Sequence, residues 1–580
     1  MTAPQAVASA SDPAPAVLPV ATESTPAASL APIAGQEVAT ADQPVPAPQP
    51  VPTPQPVPTP QPVPTPQPVP TPVALPPTPA QPVVSSVTLS GKATYDFVPN
   101  VRGPLVYADT VAKPVRGASV QVVDANDALL ASTTTDDQGA YTVPVPARTS
   151  MKVRIQAQAV RAGTAASPGW DVKVSDNTKS DALYSVGSAV FSSGNAASTH
   201  NVHAASGWGT ESYTGPRAAA PFAVMDSIYT AMLKVVSVAP ATQFPALKVF
   251  WSINNRAAPG DKALGQIGIS HHSRQPTGSV IYVLGEENGD TDEFDAHVIV
   301  HEWGHYYQSA FSRNDSIGGS HKDGDRLDAR LAFSEGWGNG WSGIALGRSN
   351  YTDSSGPAQS SGGTFDLREA PTANTGWYSE QSVQWIFWML NDRVGFKPIH
   401  DAMISERLKG GTAFTTIHAF AAAFNALAPA NAPALAALLR AQQINDAPND
   451  PFGLLETNAG GLPAVPGVLP MHVEMQVGIV KSACLSNVGG TDNKIGNFRF
   501  FHFTAAPAPA GKHEYAWTLA TKSAGANLDL DFFRGGRVSK FNRGDSPTVL
   551  VELTSGSDYL VAVHDISRTE ACFDLTINQR

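Results

Sequence analysis

A chain of 580 residues, 42% hydrophobic and 15% charged, has room for about three or four domains at ~100–200 residues each. Its formal charge of −11 and its lack of any Lys/Arg cluster argue against a nucleic-acid binder, because neutralising phosphates needs a basic face. No apolar run reaches the ~18 residues of a membrane span; the closest, around 419–439, is interrupted by Pro429 and Pro433 and reads as two short helices.

Of the 50 prolines, 25 fall in the first 85 residues, which hold four acids (Asp12, Glu23, Glu37, Asp42), no Lys or Arg and no aromatic. Such a segment cannot bury enough apolar surface to offset its ordering entropy and is expected to be disordered or extended. From Pro44 to Pro72 every second residue is proline, which locks φ and removes half the amide donors. This predicts a polyproline II spacer roughly 90 Å long at ~3.1 Å per residue. Residues 1–86 therefore read as a linker or stalk. The start shows neither a basic n-region nor an apolar h-region, which leaves a cytoplasmic protein or a mature exported form; the architecture favours the second, its signal peptide or lipoprotein anchor removed.

Residues 87–164 alternate in short β-rich runs separated by turns such as Asp136 to Gly139, the pattern of a small β-sandwich. The stretch from Gly117 to Val143 resembles the transthyretin-like or carboxypeptidase-regulatory modules. Over residues 165–466 the period changes. Helical apolar spacing appears in Pro221–Val236, Phe294–Phe311, Tyr378–Asp392 and Thr412–Leu427, and a β-run, Ser279–Gly285, precedes the second of these. This predicts a mixed α+β domain. Residues 467–580 return to strands and read as a second β-sandwich, resembling the jelly-roll-like modules appended to bacterial secreted proteases. The chain's two cysteines, Cys484 and Cys572, lie near the ends of this segment. Because first and last strands of a sandwich are often neighbours, a disulfide is expected, and with it an oxidising compartment.

The strongest chemical signal is His301-Glu302-Trp303-Gly304-His305. Histidines at i and i+4 project from one helix face and can each give an imidazole nitrogen to one tetrahedral Zn²⁺. Glu302 flanks that metal without binding it and can take a proton from water. A third protein ligand is required. The metzincin positions three and six residues past the second histidine are Gln308 and Phe311, which excludes that class. A glutamate is available at Glu335, thirty residues on.

The string Ser334-Glu335-Gly336-Trp337, with the His-Glu-x-x-His helix before it, resembles the gluzincin class of zinc metallopeptidases, thermolysin-like and fungalysin-like, over Ser279 to Gly347. The resemblance implies a zincin-like domain with His301, His305 and Glu335 as zinc ligands and Glu302 as general base. It also implies that Ser279–Gly285 is an edge strand receiving the substrate backbone. Many thermolysin-like enzymes place an aspartate four residues past the glutamate ligand, bonded to a ligating histidine. Here that position is Asn339, which can still accept from an imidazole N–H but carries no charge. A transition-state stabiliser is expected from the helical half, with Tyr378 as the candidate.

Other groups read more quietly. Gly336, Gly338, Gly340 and Gly343 each cost a helix about 1 kcal/mol, which leaves either close helix packing or a glycine-rich loop around Glu335. His297, one turn before His301, reads as a core histidine, and His271, His272 and His321 as surface or cleft-rim residues. Asp290, Asp292, Glu293 and Asp295 crowd before the metal helix; helix-terminal charge explains them, with a Ca²⁺ site as the alternative. The expected function is an exported zinc-dependent metalloendopeptidase acting on protein or peptide, monomeric, secreted, periplasmic or attached at the cell surface. The alternative is a surface adhesion or binding protein with a structural or inactive zincin-like core.

Overall fold

The computed structural model describes residues 85–462, 467–507, 511–542 and 548–580. The proline-rich stalk expected over 1–86 lies almost wholly outside them.

The strand Ser86–Phe97 turns Leu89, Ala93 and Tyr95 inward and pairs antiparallel with Ala140–Pro146 and with Val111–Pro114. It anchors a five-stranded sheet. A ten-stranded sheet faces the core beside it. Its main path runs His271–Gln275, Gly278–Val283, Leu247–Trp251, Trp170–Asp176, Ser150–Arg161, Ala118–Val123 and Leu129–Thr134. This path crosses the boundary expected at 164/165, because Gln158–Arg161 pairs antiparallel with Trp170–Lys173. Segments 87–164 and 165–466 thus share one sheet and one core, from Leu89 to Ile495. The reason is periodic. Met151, Val153, Ile155, Ala157 and Ala159 form an apolar stripe, and helix α1, Ala220–Val236, packs against it and the neighbouring strand.

The topology also corrects the expected edge. Ser279–Gly285 falls on the strand Gly278–Val283, which is interior: it pairs parallel with Leu247–Trp251 and antiparallel with His271–Gln275. The edge strand is therefore His271–Gln275.

Helix α2, Ala296–Phe311, packs on helix α3, Ala329–Leu346, which packs on helix α4, Glu380–Val394. The Glu335 segment is thus a helix despite its glycines, and each glycine has a neighbour where a side chain would stand. A Cβ on Gly338 would lie 2.7 Å from His301 Cε1, and one on Gly340 2.8 Å from Phe387 Cβ. Close approach of three helices repays the helix propensity these glycines forfeit. Asp328 caps α3, accepting from the Arg330 N–H. Pro429 splits the late apolar run into Ile417–Leu427 and Ala432–Ala441, and among the described residues no single helix is long and apolar enough to cross a membrane.

The described residues between 472 and 579 form two further sheets, of five and four strands, stacked over a separate core that includes Phe501, Trp517, Phe532, Val561 and Phe573. Cys484 and Cys572 face each other across the antiparallel pair Lys481–Cys484 and Cys572–Gln579 and are joined by a disulfide. This sandwich also braces α3. Arg330 forms a bidentate pair with Asp328 and stacks within about 5 Å of the Phe414, Phe498 and Phe500 rings.

Candidate metal centre

Three donor atoms converge where α2 meets α3. His301 Nε2 and His305 Nε2 are 3.0 Å apart, His301 Nε2 lies 3.2 Å from Glu335 Oε2, and His305 Nε2 lies 3.4 Å from it. Two imidazole lone pairs and a carboxylate held this close repel one another unless a proton or a cation lies between them. The spacing suits a divalent ion, since ligands at ~2.0–2.1 Å on a tetrahedron stand about 3.3 Å apart.

The remaining ring nitrogens are set by their partners. Ser334 Oγ donates to Gln308 Oε1 at 3.0 Å, which leaves its lone pairs to accept from His305 Nδ1 at 3.2 Å. Asn339 Oδ1 accepts from His301 Nδ1 at 2.7 Å. Both histidines therefore present Nε2 to the centre.

Burial lowers the basicity of His301, but its hydrogen bond to Glu335 and the charges of Glu302 and Glu335 outweigh that, and it is pushed up to about 9. Burial also works against ionised Glu335, yet His305 and His301 hold it well below the usual carboxylate range. Positive charge is thus strongly favoured at this point. Glu302 does not join the trio. Its Oε2 accepts from the His272 N–H of the edge strand at 2.7 Å, and burial raises its pKa, with His301 and His305 opposing.

These groups line one cavity of about 520 Å³. Several of its other walls were legible in the sequence only as surface or cleft-rim residues, or not at all. His272 lines it with a buried Nε2 that has no hydrogen-bond partner among the described residues; burial and His305 hold this imidazole down at about 3. His321, expected at a cleft rim, reaches to 3.7 Å from Glu335 Oε2 and 3.5 Å from Glu380 Oε2. Glu380 and Asp353 enter the cavity from distant segments with no motif to announce them.

Two expectations are corrected here. Tyr378 is not among the residues lining this cavity. It sits in the turn before α4, where its buried hydroxyl donates to the Thr375 carbonyl at 2.8 Å. The acids before α2 are poor helix-terminal charges too: among the described residues no side chain caps that helix, and burial with neighbouring acids drives Asp292 and Asp295 well above the usual carboxylate range, toward the neutral form. Asp295 is buried on Ser354 and Asn100, Glu293 pairs with Arg217, and Asp290 and Asp292 converge with Asp353. The three carboxylates have oxygens within 4.8 Å of one another, a group able to hold a cation. His297, by contrast, is the core histidine expected: fully buried, with Nδ1 3.0 Å from Ser342 Oγ.

The acidic group makes stability depend on pH. Burial and Asp290 push Asp353 from the ordinary 3.8 up to about 7, and burial with its acidic neighbours drives Asp292 well above the usual range. An acid whose folded pKa is raised contributes stability that is complete below its unfolded pKa and is lost as pH rises through the folded one. Chelator-treated protein is therefore expected to melt lower at about pH 8 than at about pH 5, with Asp353→Asn narrowing the difference. Equal shifts in both proteins would exclude the cluster as the cause.

The chain matches no protein-family profile and no curated protein. Among solved structures, the pre-peptidase C-terminal domain of a Bacillus anthracis collagenase is 7% identical, covering 18% of this chain and 94% of its own, with a TM-score of 0.15. A periplasmic inhibitor of g-type lysozyme from Aeromonas hydrophila is 14% identical over 19% of this chain and 96% of its own, with a TM-score of 0.14. Likeness at this level assigns neither fold nor function.

Proposed function

We propose that the chain is an exported zinc metalloendopeptidase of the gluzincin class, with a zincin-like catalytic region built on α2 and α3. The observation that carries this reading is the meeting of His301, His305 and Glu335 donor atoms at 3.0–3.4 Å beside Glu302 in an open cavity. His301, His305 and Glu335 hold the zinc, which when bound polarises a scissile carbonyl and acidifies water. Glu302 accepts the proton of the attacking water and returns it to the leaving amine. Its anchorage on the His272 N–H keeps that carboxylate beside the centre and off it. The edge strand His271–Gln275 takes the substrate backbone as a further strand. The Cys484–Cys572 disulfide supports an oxidising, extracytoplasmic location.

The deciding experiment is metal content by mass spectrometry on wild type and Glu335→Ala, with casein cleavage measured alongside. Wild type is expected to carry one zinc per chain and to lose cleavage to a chelator, and the variant to lose both metal and activity. Zinc-free, inactive wild type would overturn the peptidase reading in favour of a surface binding protein.

A further inference from the structure

The departure at Asn339 has a structural answer on α4. Asn339 Oδ1 accepts from His301 Nδ1, while its Nδ2 donates to Glu380 Oε1 at 2.6 Å and to Gln384 Oε1 at 2.8 Å. Glu380 and Gln384 stand four residues apart, on one face of α4. That face comes close enough because Gly336 and Gly340 have no side chains: a Cβ on Gly336 would lie 2.8 Å from the Glu380 carbonyl oxygen, and one on Gly340 3.1 Å from that of Gln384. Burial pushes Glu380 up to about 7, but its Oε1 and that of Gln384 both face the same side of the amide, so the nitrogen lies there and the amide oxygen faces the His301 N–H.

We propose that Glu380 is the positioning residue of the metal site, supplying through Asn339 the carboxylate that His301 lacks beside it. The inference rests on the reading of His301, His305 and Glu335 as metal ligands. Glu380 locks the amide, the amide locks the His301 tautomer with its proton on Nδ1, and Nε2 stays free for the ion. When Glu380 is ionised, its charge polarises the imidazole through one amide. Gln384 is a second acceptor on the same nitrogen and steadies it. The other Glu380 oxygen faces His321 at 3.5 Å, so one carboxylate ties the metal helix, the Glu335 helix and the 313–328 loop together.

The test exchanges the order of amide and carboxylate. Zinc affinity is measured by competition with a chromophoric chelator, and the visible spectrum of the Co²⁺-loaded protein reports ligand geometry independently of activity. Glu380→Gln is expected to weaken zinc by about 10–100-fold, the range for groups that orient a ligating histidine. Asn339→Asp alone is expected to weaken it too, because two carboxylates then face each other where an amide met one. The double variant Glu380→Gln/Asn339→Asp has the amide donate to a carboxylate that accepts directly from His301, and is expected to recover wild-type affinity and the wild-type Co²⁺ spectrum. Loss of a merely structural contact would not be rescued in this crossed manner. Wild-type affinity in Glu380→Gln, or a double variant no better than the singles, overturns the relay while leaving the metal site standing, provided wild type binds zinc and Glu335→Ala does not. Absence of zinc from wild type overturns both. Should Glu380→Gln fail to fold, the double variant decides alone, since it keeps a donor facing an acceptor between positions 380, 339 and His301, with the Gln384 amide turned to donate to the new carboxylate.

Discussion

Replacing Glu302 by Gln is expected to abolish peptide hydrolysis while leaving the zinc content of the protein unchanged. Glu302 does not share the convergence of His301, His305 and Glu335, so its loss removes no ligand. The substitution keeps shape and position, because a glutamine oxygen can still accept from the His272 N–H that now bonds Oε2. What disappears is the capacity to accept a proton from water. General-base catalysis of this kind contributes typically 10²–10⁴-fold, and a loss of at least that size is expected in kcat at full zinc occupancy. Stopped cleavage with zinc retained separates the base from a ligand. Zinc lost together with activity would move Glu302 into the ligand set, and activity retained would place the base elsewhere.

The second large effect is expected from Gly338→Ala, a change of one methyl group outside every recognised motif. The new Cβ would stand 2.7 Å from His301 Cε1 and 2.8 Å from its Nδ1, inside van der Waals contact. The ring has nowhere to retreat, because Asn339 holds one nitrogen and the metal trio the other. Overpacking of this sort costs typically 1–3 kcal/mol of stability, and here the displaced group is one of the proposed ligands. Zinc binding should therefore fall out of proportion to the change in melting temperature. Gly343→Ala is the control. Its Cβ meets the Leu367 and Trp388 side chains, so it should cost comparable stability without touching His301, Asn339, Glu380 or Gln384. Equal zinc affinity in the two variants would show that His301 can move aside.

The residues of the candidate site were unequally legible. His301, Glu302 and His305 could be read because their relation is local: one turn of helix brings i and i+4 together whatever the rest of the chain does. Glu335 was legible through a resemblance in its neighbours, and its glycines even signalled close packing. Asp353 and Glu380 were not, and His321 could be placed only as a surface or cleft-rim residue, since their approach depends on how α3, α4 and the loops between them stack. Tyr378 shows the same limit from the other side. Two residues of backbone ahead of α4 turn its hydroxyl onto Thr375, and no spacing rule foretells that.

The fold divides in the same way. Period and punctuation in the sequence determined that there are strands over 87–160, amphipathic helices in the middle, two helices about Pro429 and a strand-rich end closed by Cys484 and Cys572, because each of these follows from local propensity and from the alternation of apolar residues. Which strand forms the edge was a tertiary matter: Gly278–Val283 looks like an edge strand until His271–Gln275, polar and without any apolar alternation, pairs outside it. The absence of a boundary at 164 was tertiary too. Ser150–Arg161 exposes the same apolar stripe whether it ends a small sandwich or continues into a larger sheet, and only the arrival of Trp170–Asp176 and α1 against it decides between them. Hydrophobic burial is indifferent to which element supplies the cover, so a sequence can state that a face will be buried without stating by what.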